Sequence, residues 1–385
     1  MAATLTSLTL SGWKSYGKID AFDPGRISVL LGGNGSGKSN LISFFSLLRR
    51  MMADPGELQL AVAQAGGARK LLHDGPKKTK EITATLDFER EGKRLSYAIS
   101  LAFGASDTLV IEREEWSAPS PSPDSETRSA RRFLYDKSVG RREVVLRAHA
   151  DMGNDAQSPI ICDFLRSCVV YQFHDTSLTS GLRGKSSTAN GRHLHWDGAN
   201  LAAFLYRLAN GDSEQRDAYQ RIQRTVRQVA PFFAEFVLEP ESGYVLLQWR
   251  EVGCEEIFSA SQASDGMLRI IALMTLLCQP EANLPSLMLL DEPELGLHPH
   301  AITLLGALIR KASEHCQVMV ATQSVQLVDE FSLDEIVVVS RAGRESTLRR
   351  LSEEEYAVWL EEYSSGELWR KNVIGGGPVQ GNVFM

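Results

Sequence analysis

Gly32-Gly33-Asn34-Gly35-Ser36-Gly37-Lys38-Ser39 fits the pattern GxxxxGK[ST] and lies between a short apolar run and a longer one. Glycines let a loop wrap an anion without side-chain clash. Successive backbone N–H groups and the N-terminus of a following helix then supply positive charge. In such a loop Lys38 reaches the β- and γ-phosphates of a triphosphate, and the Ser39 hydroxyl is a ligand for Mg²⁺. An ordinary Gly-rich turn is the competing reading. The strand-like run at 27–31 and the helix expected over 38–52 favour a phosphate cradle.

A second group lies at Ser286-Leu287-Met288-Leu289-Leu290-Asp291-Glu292-Pro293, an apolar run ending in paired carboxylates. A strand of this kind delivers both acids to the C-terminal edge of a sheet, where α/β folds bind ligands. Asp291 suits a magnesium ion. Glu292 is then placed to orient or deprotonate an attacking water, a contribution of about 10²–10⁴ in rate. Read alone, the pair is equally an acidic helix cap.

Ser264-Asp265-Gly266-Met267-Leu268-Arg269 opens an apolar helix just before that strand. Its hydroxyl, N–H groups and dipole make a second anion-binding tip. The chain already has a phosphate cradle, so Ser264 and Gly266 are expected to serve the γ-phosphate of a second copy. Simple N-capping by Ser264 is the alternative.

The elements that must carry these groups follow from pattern. Alternation over 4–13 reads as a strand, and EITATLDFER, KRLSYAISLAF and TLVIEREEW over 81–115 read as an antiparallel meander. A Pro/Ser linker is expected at 117–125, a hairpin over 133–147, and a flexible loop with Arg183, Lys185 and Arg192 over 178–192. Helices are expected within 198–230, with strands near 234–239 and 244–250. A helix at 266–278, a strand at 286–290, a helix at 300–315 and strands at 317–321 and 335–339 complete the pattern. Strand–helix alternation at both ends, with β-rich and helical material between, implies a parallel α/β core carrying an insertion. The chain divides as 1–175, 176–255, 256–345 and 346–385. No long heptad run is present.

The composition is that of a chain able to bury a core, with 43% hydrophobic and 23% charged residues. A net charge of −7 argues against nucleic-acid affinity over the whole surface, though not against a local basic groove. Cys162, Cys168, Cys254, Cys278 and Cys316 form no CxxC pair and read as reduced thiols. Apolar stretches are too short to span a bilayer, and the first residues lack a signal-peptide pattern. A soluble cytoplasmic protein without membrane association is expected.

Leu10-Ser11-Gly12-Trp13-Lys14-Ser15-Tyr16, the GGNGSGKSN loop, SDGMLR and LLDEPELGLHP together resemble the ABC-type ATPases of the RecF, SMC and OLD group. Tyr171-Gln172-Phe173-His174-Asp175-Thr176-Ser177, Gly366-Glu367-Leu368-Trp369 and Ile374-Gly375-Gly376-Gly377-Pro378 look familiar from standalone bacterial ATPases of that group. The resemblance covers nearly the whole chain. It implies an α/β P-loop NTPase of ABC type with an antiparallel β lobe and a helical insertion, without a long coiled coil. It also implies ATP and Mg²⁺ held by Gly32 through Asn40, with Asp291 and Glu292. Two copies would close head to tail, each site completed by Ser264 and Gly266 of the other.

Gln172 matches a family glutamine that senses magnesium and the attacking water. Gln323 stands where many relatives have a switch histidine. A glutamine can hydrogen-bond a γ-phosphate but cannot carry a proton charge, which implies slower or differently gated hydrolysis. His298 stands where transporters of the class have an aspartate. The resemblance further implies control of a separate effector protein, in antiviral defence or DNA repair, with DNA contact open. The rival is a nucleotide-sensing scaffold with little turnover.

Weaker features keep two readings each. His193 with His195, and His298 with His300, could bind metal or be solvated loop histidines. Trp13 or Tyr16 could stack on adenine or pack in the core. Arg183, Lys185 and Arg192 could touch nucleic acid or stay solvated. The terminal Val383-Phe384-Met385 could dock on a partner or be disordered.

Overall fold

The computed structural model describes residues 3–117, 140–376 and, as main chain, 132–135. Most of the Pro/Ser stretch and the terminal Val383-Phe384-Met385 lie outside the described residues. The chain forms two compact units, Met1–Val169 with Ser332–Met385, and Val170–Phe331.

In the first unit an antiparallel sheet runs in the order Tyr16–Phe22, Thr4–Trp13, Glu81–Arg90, Lys93–Gly104, Thr108–Ser117, Arg132–Tyr135. Period-two burial along Glu81–Arg90 sends Ile82, Ala84, Leu86 and Phe88 to the core. Glu91 and Gly92 both take positive φ, 53° and 74°, in the two-residue turn to the next strand. Such a turn matches the right-handed twist of its flanking strands.

The same unit holds the strand Ile27–Leu31, buried at all five positions. It runs parallel to Ile336–Ala342, with Ile336 opposite Val29 and Val338 opposite Leu31. Helix Lys38–Ala53 follows the Gly-rich loop and buries Leu41, Ile42, Phe44, Phe45 and Leu48, one apolar face at helical spacing. Strand Glu345–Arg350 pairs antiparallel with Ile336–Ala342.

The hairpin expected over 133–147 is not formed. Arg132–Tyr135 pairs with Thr108–Ser117 instead, and Arg141 bridges to Ile111 on that same strand. Val145–Met152 is a helix. The cause is a buried carboxylate: Glu114 accepts the N–H of Val145 at 2.7 Å and of Leu146 at 3.0 Å, fixing a helix start there. Burial pushes the Glu114 acid up from its ordinary range, against the pull of those two N–H groups.

In the second unit Leu287–Asp291 runs parallel to Gln317–Thr322, with Asp291 opposite Ala321. Helix Pro299–Ser313 lies between them in sequence, as a βαβ crossover requires. Helix Asp265–Cys278 buries an unbroken run from Ile270 to Cys278. Helices Leu201–Ala209 and Ser213–Val229 and the small sheet Phe233–Phe236, Gln248–Glu251, Ile257–Ser259 fill the insertion. Among the described residues no helix exceeds the 17 residues of Ser213–Val229, so there is no long coiled coil among them. None is long and apolar enough to cross a membrane.

The loop over 178–192 corrects a sequence expectation. It contains turns of 3₁₀-helix and the short strand Ser186–Ser187, and while Lys185 and Arg192 are exposed as a solvated loop implies, Arg183 is not. Arg183 is only 9% exposed and is tied to the carbonyls of Ala260 and Ala263 and to Asp265 at 3.0 Å. A guanidinium has five donors in a fixed fork, and carbonyls that end a chain turn are its natural acceptors. Lys185 does remain on the surface, paired with Glu241 at 3.1 Å.

Candidate active site

The phosphate loop is held from beneath by the Trp13–Tyr16 hairpin. Trp13 is 1% exposed and donates from Nε1 to the Asn40 carbonyl at 2.7 Å, while its ring meets Phe44 edge to face. Tyr16 is fully buried and donates to the Gly37 carbonyl at 3.0 Å. Burial pushes its phenol far above the ordinary range, so it stays a donor. These aromatics therefore belong to the core, and the adenine-stacking alternative is lost.

Ser15 and Ser346 complete the support. The Ser346 hydroxyl donates to the Ser36 carbonyl at 2.5 Å, and its N–H donates to the Ser15 carbonyl. The Asn40 amide donates to the Ser15 hydroxyl at 2.8 Å. A Cβ at Gly37 would sit 2.5 Å from the Ser346 hydroxyl, and φ there is 120°, so this position requires glycine.

Within the loop, Lys38 is buried and donates from Nζ to the carbonyls of Gly32 at 2.5 Å and Gly33 at 3.2 Å. Gly35 has φ of 75°, and a Cβ there would meet nothing within 4 Å, so the loop apex is open. No side chain caps helix Lys38–Ala53 at Gly37, and the Ser36 Oγ is a buried hydroxyl without a hydrogen-bond partner. An open apex, an uncapped helix start and an unsatisfied hydroxyl fit a polyanion.

In the other unit the two carboxylates end strand Leu287–Asp291. Asp291 Oδ2 accepts from Gln172 Nε2 at 3.3 Å. The Asp291 carbonyl lies 2.8 Å from His174 Nε2; a carbonyl only accepts, so His174 is the donor. Glu292 has φ of 45°, a left-handed conformation uncommon for a side chain of this size, and its N–H donates to the Ala321 carbonyl. Gln323 Nε2 donates to Glu292 Oε1 at 2.5 Å. The structure thus brings Gln172 to Asp291 and Gln323 to Glu292, across 119 and 31 residues of sequence.

Ser264 is exposed and accepts from the Met267 N–H at 3.2 Å, so it does cap helix Asp265–Cys278. Capping uses one lone pair of the hydroxyl and does not bury it. Gly266 faces Gly296, whose carbonyl would lie 3.3 Å from an added Cβ. One turn on, Arg269 donates to the carbonyls of Phe173 at 3.3 Å, His174 at 3.0 Å and Leu295 at 2.9 Å.

Arg269 and Glu294 are structural contributors whose roles no motif marks, and Arg183 joins them as a tether of low exposure rather than a solvated or nucleic-acid-binding residue. Arg183 lies in a Gly/Ser-rich stretch that masks its role, and Arg269 closes the Ser264–Arg269 motif, where residue type alone points to no partner. Glu294 accepts the Thr322 hydroxyl on one oxygen, while the other oxygen is buried without a partner. Desolvation raises its pKa and Glu292 adds to the upward push, against smaller opposition from that hydroxyl and from the backbone N–H groups of Glu294 and Gln323.

A folded-state pKa above the unfolded value means the unfolded chain releases the proton first. Stability from this group is then fully present below the unfolded carboxylate pKa and is lost as pH rises through the folded value. Glu294→Gln is therefore expected to raise the unfolding temperature relative to wild type at neutral pH. The gain should shrink as pH falls below the ordinary carboxylate range. A pH series of thermal melts checks this, and a gain independent of pH would contradict it.

The histidine pairs do not assemble a metal site. His298 caps its helix by accepting the His300 N–H at 3.3 Å, and no group of metal-ligating side chains occurs among the described residues. All five cysteines are free thiols.

Comparison with known proteins adds a family. No curated protein gives a significant sequence match. Among solved structures, the chain is similar to the SmcHead bound to the C-winged helix domain of ScpA, at 18% identity and TM-score 0.57, covering 92% of this chain and 99% of that one. It is also similar to the Smc head domain with an extended coiled coil bound to the C-terminal domain of ScpA, derived from Pyrococcus furiosus. There identity is 18% and TM-score 0.55, covering 94% of this chain and 99% of that one. The shared fold is mixed α/β, with a parallel P-loop sheet and an antiparallel β lobe. A family model described as "AAA domain, putative AbiEii toxin, Type IV TA system" matches residues 27–152 and 186–329, which include the phosphate loop, Ser264 and both carboxylates. The chain belongs to this AAA_21 family of P-loop ATPases and has the fold of an SMC head.

Proposed function

We propose that the chain hydrolyses ATP, with two copies closing head to tail around two nucleotides. Gly32–Ser39 would cradle the triphosphate, with Lys38 on the β- and γ-phosphates. Asp291, Ser39 and the Gln172 amide oxygen are hard donors that suit magnesium, which when bound neutralises phosphate charge. Glu292 would accept a proton from the attacking water, and Gln323 holds that carboxylate in place.

The observation that carries the dimer is Ser264. It stands exposed at the start of an apolar helix, its hydroxyl capping the Met267 N–H with capacity left to donate, although its own chain already has a phosphate loop. A nucleotide gripped by both copies links binding to closure. At about 100 times its Kd such a ligand stabilises the closed form by roughly 2.7 kcal/mol. Sedimentation with a non-hydrolysable ATP analogue and magnesium is expected to give dimer for wild type and monomer for Ser264→Arg, with analogue affinity per chain still measurable in both. A Ser264→Arg dimer would count against the shared site.

A second reading rests on the short Gln323–Glu292 hydrogen bond, which occupies the candidate base. It supports slow turnover, and at the limit a nucleotide-sensing scaffold. Phosphate release by the purified protein separates the two. The family description supports a biological role beside a second protein, as in toxin–antitoxin or antiviral defence systems.

A further inference from the structure

The C-terminal motif Ile374-Gly375-Gly376 has no part in the chemistry above, yet it lies against the root of the phosphate loop in the same unit. The Gly33 N–H donates to the Gly376 carbonyl at 3.0 Å. Gly376 has φ of 77°, and an added Cβ would lie 2.7 Å from Val338 Cγ1, 3.5 Å from the Leu31 carbonyl and 3.8 Å from the Gly32 Cα. The main chain at 376 therefore packs where the strand Ile27–Leu31 becomes the loop.

The approach is anchored on the other side. Ile374 is fully buried, and Arg349 donates from Nη2 to its carbonyl at 2.7 Å. Val373 N–H donates to the carbonyl of buried Leu368, tying the segment to helix Ser365–Arg370, whose start is closed by a capping box between Ser364 and Glu367. The Gly33 N–H sits at the strand end of the loop, away from the open apex at Gly35 and the helix start at Gly37. Its hydrogen bond thus holds the loop's entry while leaving the anion-binding part unchanged.

We propose that residues 374–376 are a positioning strap for the phosphate loop, so that nucleotide affinity depends on the C-terminal segment being seated. This rests on the ATP-binding reading above. By linkage, bound nucleotide must in turn hold the strap in place, with the same coupling factor. A protein that pulled on this segment would then release nucleotide without touching the catalytic carboxylates.

Gly375 provides an internal control. Its φ is 78°, matching Gly376, but an added Cβ would meet nothing within 4 Å. Gly375→Ala and Gly376→Ala therefore carry the same backbone penalty, and only the second collides, with Val338 on the strand paired beside Leu31, which must push residue 376 and its Gly33 hydrogen bond out of place. With N-methylanthraniloyl-ATP as probe, Gly376→Ala is expected to bind at least about tenfold more weakly than Gly375→Ala, the size of an overpacked contact. A strap that served only folding would lower the apo unfolding temperature and leave the Kd of the two variants equal; that equality overturns the proposal. If Gly376→Ala does not fold, Arg349→Met decides: a weaker Kd at an unchanged far-ultraviolet spectrum supports the strap, and a wild-type Kd overturns it. Wild type binding no better than Lys38→Ala would instead mean that the ATP-binding reading has failed.

Discussion

Lys38→Ala is expected to weaken ATP binding by about 10²–10⁴-fold and to reduce phosphate release to background. The side chain is buried in the loop, its ammonium resting on the Gly32 and Gly33 carbonyls. It is therefore already placed when a triphosphate arrives, and little rotamer freedom remains to be lost. Charge-assisted hydrogen bonds to phosphate contribute about 1.5–3 kcal/mol each, and two of them account for the range given. Titration calorimetry and a phosphate-release assay measure the two quantities, with an apo melt as the check on folding. Undiminished phosphate release would assign hydrolysis to something other than this loop.

Glu292→Gln is expected to keep ATP affinity within a few-fold, lower turnover by about 10²–10⁴, and accumulate dimer in the presence of ATP and magnesium. The substitution is nearly isosteric. Its amide oxygen can still accept the Gln323 hydrogen bond, and the left-handed backbone at 292 is no worse for glutamine than for glutamate. What disappears is the ability to take a proton from water. Loss of chemistry with binding intact is the signature of a group that acts at the transition state. Sedimentation of this variant with ATP giving monomer alone would speak against closure around nucleotide, and turnover at the wild-type rate would remove Glu292 from the mechanism.

The parts of the fold that the sequence made legible are those in which local pattern and burial agree. Four apolar residues in a run of five before a Gly-rich loop read as a covered strand, and Ile27–Leu31 is that strand, with Ser28 buried beside them. The strand ending at Asp291 and the cap at Ser264 were readable for the same reason. Strand Glu345–Arg350 was not, because it is almost wholly polar and is defined by its partner Ile336–Ala342 rather than by its own alternation.

The helix at Val145 was hidden because its start is set by Glu114, a residue 31 positions away. The placement of Trp13 and Tyr16 beneath the loop could not be chosen from residue type alone, since an aromatic packs equally well on a base or in a core. Pairings such as Gln323 with Glu292 join two motifs that each looked complete.

Arg269 has a mechanical consequence. Its planar head is pinned at three carbonyls, and one of the residues so gripped, His174, in turn holds the main chain of Asp291. A helix whose exposed end is pushed cannot slide without dragging these peptide groups along. If a second copy docks at this helix tip as proposed, its push reaches the acidic strand end as displacement, carried by these hydrogen bonds from Arg269 through His174 to Asp291.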